Sequence, residues 1–366
     1  MAASRPAAVC ATEMPRIALV AASLEILGGQ GIQAKSLIEG LRERGYAVAF
    51  LPVNPRFPRG FAWVRRLRYV RTVFNQILYL PSLAALRKSD VAHVFSASYW
   101  SFLLAPVPAL LAARMFGKRT VLHYHSGEAD DHLSHWGVLV HPWLRMVDEV
   151  VVPSQYLKEV FARHGYAVRV VKNVIDTTRF AYRERSPLKP NLLSVRNFES
   201  HYRVEDVLRA FPMVKAKFPA ATLTVAGYGS EAGKLRELAA SLGVEGIRFV
   251  GRVEPDAVPS LYAAADIFLN AAVIDNQPVS VLEAFASGLP VVSTASGDIA
   301  TMLKQGEAGV LVPPRDPAAM AAAIIALLQE PQRALTLARR ARAEAETYTW
   351  NLISADWAEV YGKEAA

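Results

Sequence analysis

Apolar residues along this chain fall into short blocks separated by longer amphipathic stretches. The blocks at 16–22, 47–53, 91–95, 119–124, 148–152 and 167–171 are too short for buried helices and read as strands. The segments between them space their apolar positions three and four apart, which predicts helices. The pattern lapses over "NVIDTTRFAYRERSPLKPN", a polar stretch containing proline. It then resumes with "NLLSV", "ATLTVAG", "IRFVG", "ADIFLNAA", "PVVST" and "GVLVP". Strands alternating with helices build parallel sheets, so two such series predict an α/β protein of two doubly wound, Rossmann-like domains. Residues 16–180 would form the first and 181–349 the second, joined by a linker near 178–190. Ligands of such sheets sit beyond the carboxyl ends of the strands, which makes the cleft between the domains the expected site. Trp350, Ile353, Trp357, Val360 and Tyr361 recur at helical spacing. Residues 350–366 therefore read as a helix that packs back on the first domain.

Composition adds few constraints. With 52% hydrophobic and 20% charged residues in 366, this is an ordinary globular chain, long enough for two domains. Its single cysteine, Cys10, permits no disulfide within the chain and fits a reducing compartment. No run approaches the roughly 20 apolar residues of a membrane span. Residues 1–15 lack a signal-peptide core and read as a disordered leader. A cytoplasmic location is expected.

Charge changes the picture more. Residues 1–180 hold 22 Lys and Arg against 12 Asp and Glu, whereas the remainder holds 19 against 21. No acid lies between Glu43 and Asp90. Within that gap Arg65, Arg66, Arg68 and Arg71 interleave with Phe61, Trp63, Leu67, Tyr69, Val70 and Phe74. Basic and aromatic side chains mixed on a helix suit an anionic membrane surface, though a solvated basic face has the same composition. No nucleic-acid reading motif accompanies the charge, so nucleic acid is not an expected partner.

Two stretches carry candidate chemistry. "GGQGIQA" contains Gly29 and Gly31 in a G-x-G-x-x-A pattern, which would bind a dinucleotide if the first glycine left the first strand directly and an acid ended the second. Neither holds, because "SLEILG" intervenes and "AVAFLPVN" ends without an acid. What remains is a glycine-rich loop opening a helix, either an anion site or a tight turn. In "ADIFLNAAVIDNQPVSVLEAFASGLPVVST" a strand, a polar loop and a helix follow in order. Pro278 suits the first helical position and Gly288 a left-handed cap. The helix N-terminus would present free N–H donors to an anion. Asp275 precedes it and Glu283 follows eight residues later, beside small residues that would leave its carboxylate reachable. Read alone, the two acids are equally a turn former and an exposed helical acid.

With these residues in place, the sequence resembles retaining glycosyltransferases of family GT4, which have the two-domain GT-B fold. The diagnostic E-x7-E pattern is matched by Asp275-x7-Glu283, and "LLSVRNF", "LTVAGYGSE", "IRFVGRV" and "VLHYHSG" are similar to family landmarks. The resemblance implies transfer of a sugar from a UDP- or GDP-sugar to a glycolipid or saccharide acceptor bound by the first domain, and the basic charge of that domain places the expected acceptor at the inner face of a membrane. It implies that Glu283 grips the ribose, Asp275 the sugar hydroxyls and Arg196 the diphosphate. Backbone at Asn276, Gln277, Val279 and Ser280 would face the sugar or diphosphate, and main chain near Arg252 and Val253 the base. Gly29 and Gly31 would approach the donor, and His125 the transferred sugar. Helix-end donors and cations would stabilise the departing diphosphate. With only the adjacent Asp130 and Asp131 in place of a D-x-D motif, neither a metal nor a cofactor is expected.

Two departures from the family pattern matter. Asp275 is one methylene shorter than the usual Glu. The usual lysine after the family arginine is missing from "SHYRVED", where Arg203 is the candidate replacement, with different geometry. An epimerase on the same fold, or a binding protein with a degenerate site, remains an alternative.

Overall fold

The apolar blocks become strands in a computed structural model, which describes residues 14–24 and 28–362 apart from the side chains of Ala62, Arg65 and Arg68. The leader reading, except for Met14 and Pro15, lies outside the described residues, as do the side chains of Arg65 and Arg68.

The first sheet holds β1 (Ile17–Ala21), β2 (Val48–Pro52), β3 (Val91–Ser96), β4 (Arg119–Tyr124), β5 (Glu149–Val152) and β6 (Arg169–Val170). All its pairings are parallel, in the order β2-β1-β3-β4-β5-β6. The second holds β7 (Asn191–Val195), β8 (Thr222–Ala226), β9 (Ile247–Gly251), β10 (Ile267–Asn270), β11 (Val291–Thr294) and β12 (Val310–Val312). Its order is β12-β11-β10-β7-β8-β9, also parallel. Counted from β7, this is the doubly wound order whose crevice opens between the first and fourth strands. Here those strands are β7 and β10, which lead to Arg196 and Asp275. In the first sheet the order reverses between β1 and β3, placing the glycine loop after β1 at the corresponding point.

Helices cover both faces, so the central strands are almost wholly buried; every residue of β1 and β3 is. Asn173 to Pro190 forms neither helix nor strand beyond isolated turns, but it is tied down. Arg185 is buried, and its guanidinium donates to the carbonyls of Tyr262, Ala265 and Ser287. The C-terminal helix, Trp350–Gly362, lies against the first sheet. Trp357 and Tyr361 pack beside His93 of β3, and Trp350 lies over Gly40 in the helix Gly29–Glu43. A Cβ at Gly40 would stand 2.3 Å from the Trp350 ring.

Candidate functional site

A cavity of about 600 Å³ lies between the sheets, within the size range of small-molecule sites. Two helix N-termini reach it, one from each sheet. The first belongs to the helix Gly29–Glu43. The second belongs to the helix Val279–Ala286, hereafter the donor helix. Gly29 and Val279 approach closely, since a Cβ on Gly29 would be 3.8 Å from the Val279 side chain. Free N–H groups and the positive ends of both helix dipoles therefore converge on one space, an arrangement suited to phosphate.

Pro278 caps the donor helix one position before the first helical residue, with φ −70° and ψ 121°. Gly288, at φ 71°, takes the left-handed turn expected of it. Every residue of the helix is buried, including Glu283 at 8% exposure. Glu283 is thus no surface acid. Its carboxylate lies at the cavity wall and accepts a 2.7 Å hydrogen bond from the Tyr262 hydroxyl. Burial outweighs that bond and pushes the carboxyl up to about 7.

Arg196 and Asp275 leave the ends of β7 and β10 and pair with each other. Arg196 also donates to Ser280 Oγ at 3.2 Å and lies 4.0 Å above the Tyr202 ring. Its Nε is buried with no partner among the described residues. The guanidinium is thereby fixed over the donor-helix N-terminus with a donor to spare. A diphosphate arriving there would compete with Asp275 for it, freeing the carboxylate for hydroxyl groups.

The first sheet meets this loop directly. Asn276 Nδ2 donates to the carbonyl of His125 at 3.2 Å, and Asn276 Oδ1 accepts from Ser154. Asn173 N donates to Gln277 Oε1 at 2.9 Å, and Asn173 Nδ2 donates to the Gln277 carbonyl at 3.0 Å. Gly127 and Gly297 pack on the carbonyl of Asp275 from opposite domains; a Cβ at either would be 2.4 Å from its oxygen. His125 lines the same cavity, and so do Gly31, Arg252 and Val253. The backbone thus places nearly all the candidate donor residues in one cleft.

Arg203 is the exception and a correction. It adopts φ 50°, and its guanidinium is held by Asp206 at 2.9 Å and by Glu205. It does not line the cavity; His201 and Tyr202 do. The fork is consumed by acids three and two residues on, so Arg203 does not replace the missing lysine. Asp130 and Asp131 are also engaged elsewhere, with Arg163 and His164, and with Tyr99 and His135.

The basic segment differs from a single helix. Residues Arg59–Arg66 form a 3₁₀ turn, Leu67 is extended, and a helix runs Arg68–Ser82. Trp63, Arg66 and Arg71 are exposed. Phe74 instead packs on Phe57 and Phe61, with ring centroids 4.9 and 5.3 Å away. Val70, Val73, Ile77 and Leu80 are each about half exposed or more and lie on one face of the helix.

Sequence reasoning gave no role to Tyr262, Tyr202, Gly127 or Asn173. Only Gly127 left a local signal, as the glycine closing "HYHSG" beyond a buried strand.

Comparison with known proteins agrees with this geometry. Residues 27–179 match the model of Glycosyltransferase Family 4, and residues 189–330 match that of Glycosyl transferases group 1. The chain is 30% identical over 291 residues to glycogen synthase of Mycobacterium tuberculosis, covering 75% of this chain and 69% of that protein. It is 32% identical over 362 residues to phosphatidyl-myo-inositol mannosyltransferase of Mycolicibacterium smegmatis, covering 93% and 91%. Among solved structures, sucrose-phosphate synthase from Thermosynechococcus elongatus superposes with a TM-score of 0.77 at 19% identity, over 95% of this chain and 98% of that one. Anabaena HepE in complex with UDP and glucose gives 0.73 at 18%, over 96% and 100%. With both halves matched to one family and both sheets to one fold, this chain belongs to glycosyltransferase family 4 and is a glycosyltransferase of GT-B architecture.

Proposed function

We propose that the enzyme transfers a sugar from a nucleoside-diphosphate sugar, with retention of anomeric configuration, to an acceptor carried at a membrane. The observation that carries this reading is the meeting of Arg196, Asp275, Glu283 and two helix N-termini in one cleft. Arg196 and the helix ends take the diphosphate and stabilise the negative charge that grows on it as the sugar leaves. Glu283 takes the ribose diol, the backbone near Val253 the base, and Asp275 the sugar hydroxyls, with His125 beside the reacting carbon. The acceptor enters on the opposite side of His125 from the donor helix, and the departing phosphate assists its deprotonation. No paired carboxylates of the glycosidase kind are required.

The acceptor side is supported by a neighbouring recess of about 830 Å³, lined in part by Asn54, Arg71, Asn75 and Gln76 and, among the described residues, by no acid. Tyr228 and Arg252 line both spaces. The helix Arg68–Ser82 lines the recess with Arg71, Thr72, Asn75 and Gln76 and turns Val70, Val73, Ile77 and Leu80 outward on its other face, where a lipid surface would meet it. No helix among the described residues is long and apolar enough to cross a membrane, so attachment would be peripheral.

Incubation with labelled UDP- and GDP-sugars and a membrane lipid extract tests the reading, with product stereochemistry read by NMR. Glu283→Ala and Arg196→Ala should each lose about 1.5–3 kcal/mol of donor binding, in keeping with a charge-assisted contact, and most of their turnover, while remaining folded. Wild-type transfer by both variants would disprove the donor site, and inverted product would disprove retention.

A further inference from the structure

The cleft histidine does not stand alone. His123 and His125 alternate on β4 and its end, which puts their rings on one side of the sheet. Their centroids are 4.0 Å apart. Phe95 stacks on His125 at 5.0 Å, within 9° of parallel. Behind His123 the contacts continue away from the cleft. His123 Nδ1 lies 3.2 Å from His93 Nε2, and His93 Nδ1 lies 2.6 Å from the hydroxyl of Tyr361 in the C-terminal helix. Trp357, one turn earlier in that helix, packs on both inner rings at 5.1 Å.

Resting on the reading that His125 contacts the transferred sugar, we propose that Tyr361, His93 and His123 are positioning residues that fix the orientation of the His125 ring. The clamp is mechanical first: held between Phe95 and His123, the His125 ring has no free rotation. The contacts behind it also order the protons of His93 and His123. Each neutral imidazole carries one N–H, so the chain permits two arrangements. If Tyr361 donates to His93, then His93 donates to His123 and the proton of His123 sits on Nε2. If Tyr361 accepts, every proton reverses and His123 Nε2 is bare. The Nε2 atoms of His123 and His125 are both buried with no partner among the described residues. Among the described residues the cleft end of the chain has no group to set the proton order of His123, which is therefore set from the Tyr361 end. Burial pushes His93 and His125 down to about 3, and the neighbouring rings lower His123 further after burial itself, so all three are neutral near pH 7. A neutral ring suits a hydrogen bond to a sugar hydroxyl without adding charge opposite Arg196.

The test uses the full-length enzyme with four variants and His125→Ala as reference. Tyr361→Phe removes only the terminal hydroxyl. His123→Phe keeps a ring against His125 without hydrogen bonds. His123→Leu removes both, and His123→Asn restores a polar atom where Nδ1 stands. Tyr361→Phe and His123→Phe should lower kcat about tenfold, with the donor KM and UDP or GDP affinity changed less than twofold. His123→Leu should fall further, and His123→Asn should recover most of the loss. Long-range ¹⁵N–¹H spectra of histidine-labelled protein should show His93 and His123 changing tautomer in Tyr361→Phe. Wild-type kcat in Tyr361→Phe and His123→Phe, beside an impaired His125→Ala, overturns the positioning role while leaving the site reading intact. Wild-type kcat in His125→Ala removes both. Equal loss in His123→Asn and His123→Leu, with a lowered melting temperature in each, would reduce the chain to core packing and overturn the proposal.

Discussion

A carboxyl group sealed beside a tyrosine, 21 residues away in sequence, has a titration that the donor would read. Glu283 sits near 7 against an ordinary 4.5, because burial disfavours its charged form more than Tyr262 supports it. Its folded value is raised, so its contribution to stability is most favourable when protonated and declines as pH climbs from about 4.5 to 7. Ribose hydroxyls donating to this carboxylate would favour the charged form and lower its pKa. Nucleotide binding should then release a proton near pH 6, and affinity should rise with pH until about 7. Calorimetry in two buffers of unlike ionisation enthalpy measures that proton directly. Glu283→Gln should bind without releasing it, and buffer-independent heats in the wild type would refute the assignment. The pairing itself was not legible in sequence, since nothing local links Tyr262 to Glu283. Arg203 illustrates the opposite error. Its acids stand two and three residues on in "RVED", and that proximity was the readable sign that its charge was already committed.

Elements were read more reliably than their partners. Every apolar block contains a strand, buried along its whole length in β1, β3, β10 and β11 and only in part in β2, β6, β9 and β12 at the sheet edges. The donor helix was bounded to within a residue by Pro278 and Gly288, whose backbone preferences hold in any context. In the basic segment the charges were legible in sequence, whereas the outward apolar face of its helix was not. Val73, Ile77 and Leu80 are 62%, 61% and 49% exposed, against which the half-buried Phe74 offers little to a bilayer. Each basic residue near an anionic surface contributes about 1 kcal/mol, and the attraction fades over a Debye length of ~8 Å. Vesicle co-sedimentation separates the two contributions. Arg65, Arg66, Arg68 and Arg71 changed together to Gln should abolish the preference for anionic vesicles and its salt dependence. Changing Val73, Ile77 and Leu80 to Ser should weaken binding that salt does not touch, with no loss of thermal stability, because these side chains already face water. Negligible binding of the wild type to both vesicle types would remove the membrane from the account.

At the scale of the whole molecule, alternation of strand and helix was enough to foresee two doubly wound units and a cleft between them. Nothing in the pattern could foresee how closely they meet, because that distance is set by backbone rather than by side chains. The carbonyl of Asp275 is gripped between Gly127 of one unit and Gly297 of the other, with no space at either for a single methyl group. The seam between the two units therefore has a hard mechanical tolerance, and one carbon atom in it would act as a doorstop. Gly127→Ala should fold, since its backbone lies outside the left-handed region, and should bind free nucleotide through the second unit. It should nevertheless turn over at least tenfold more slowly, with small-angle scattering showing no compaction when the donor is added. Wild-type turnover in that variant would mean that the seam yields. If it does not, a residue with no side chain sets how far the two halves of the active site can approach each other.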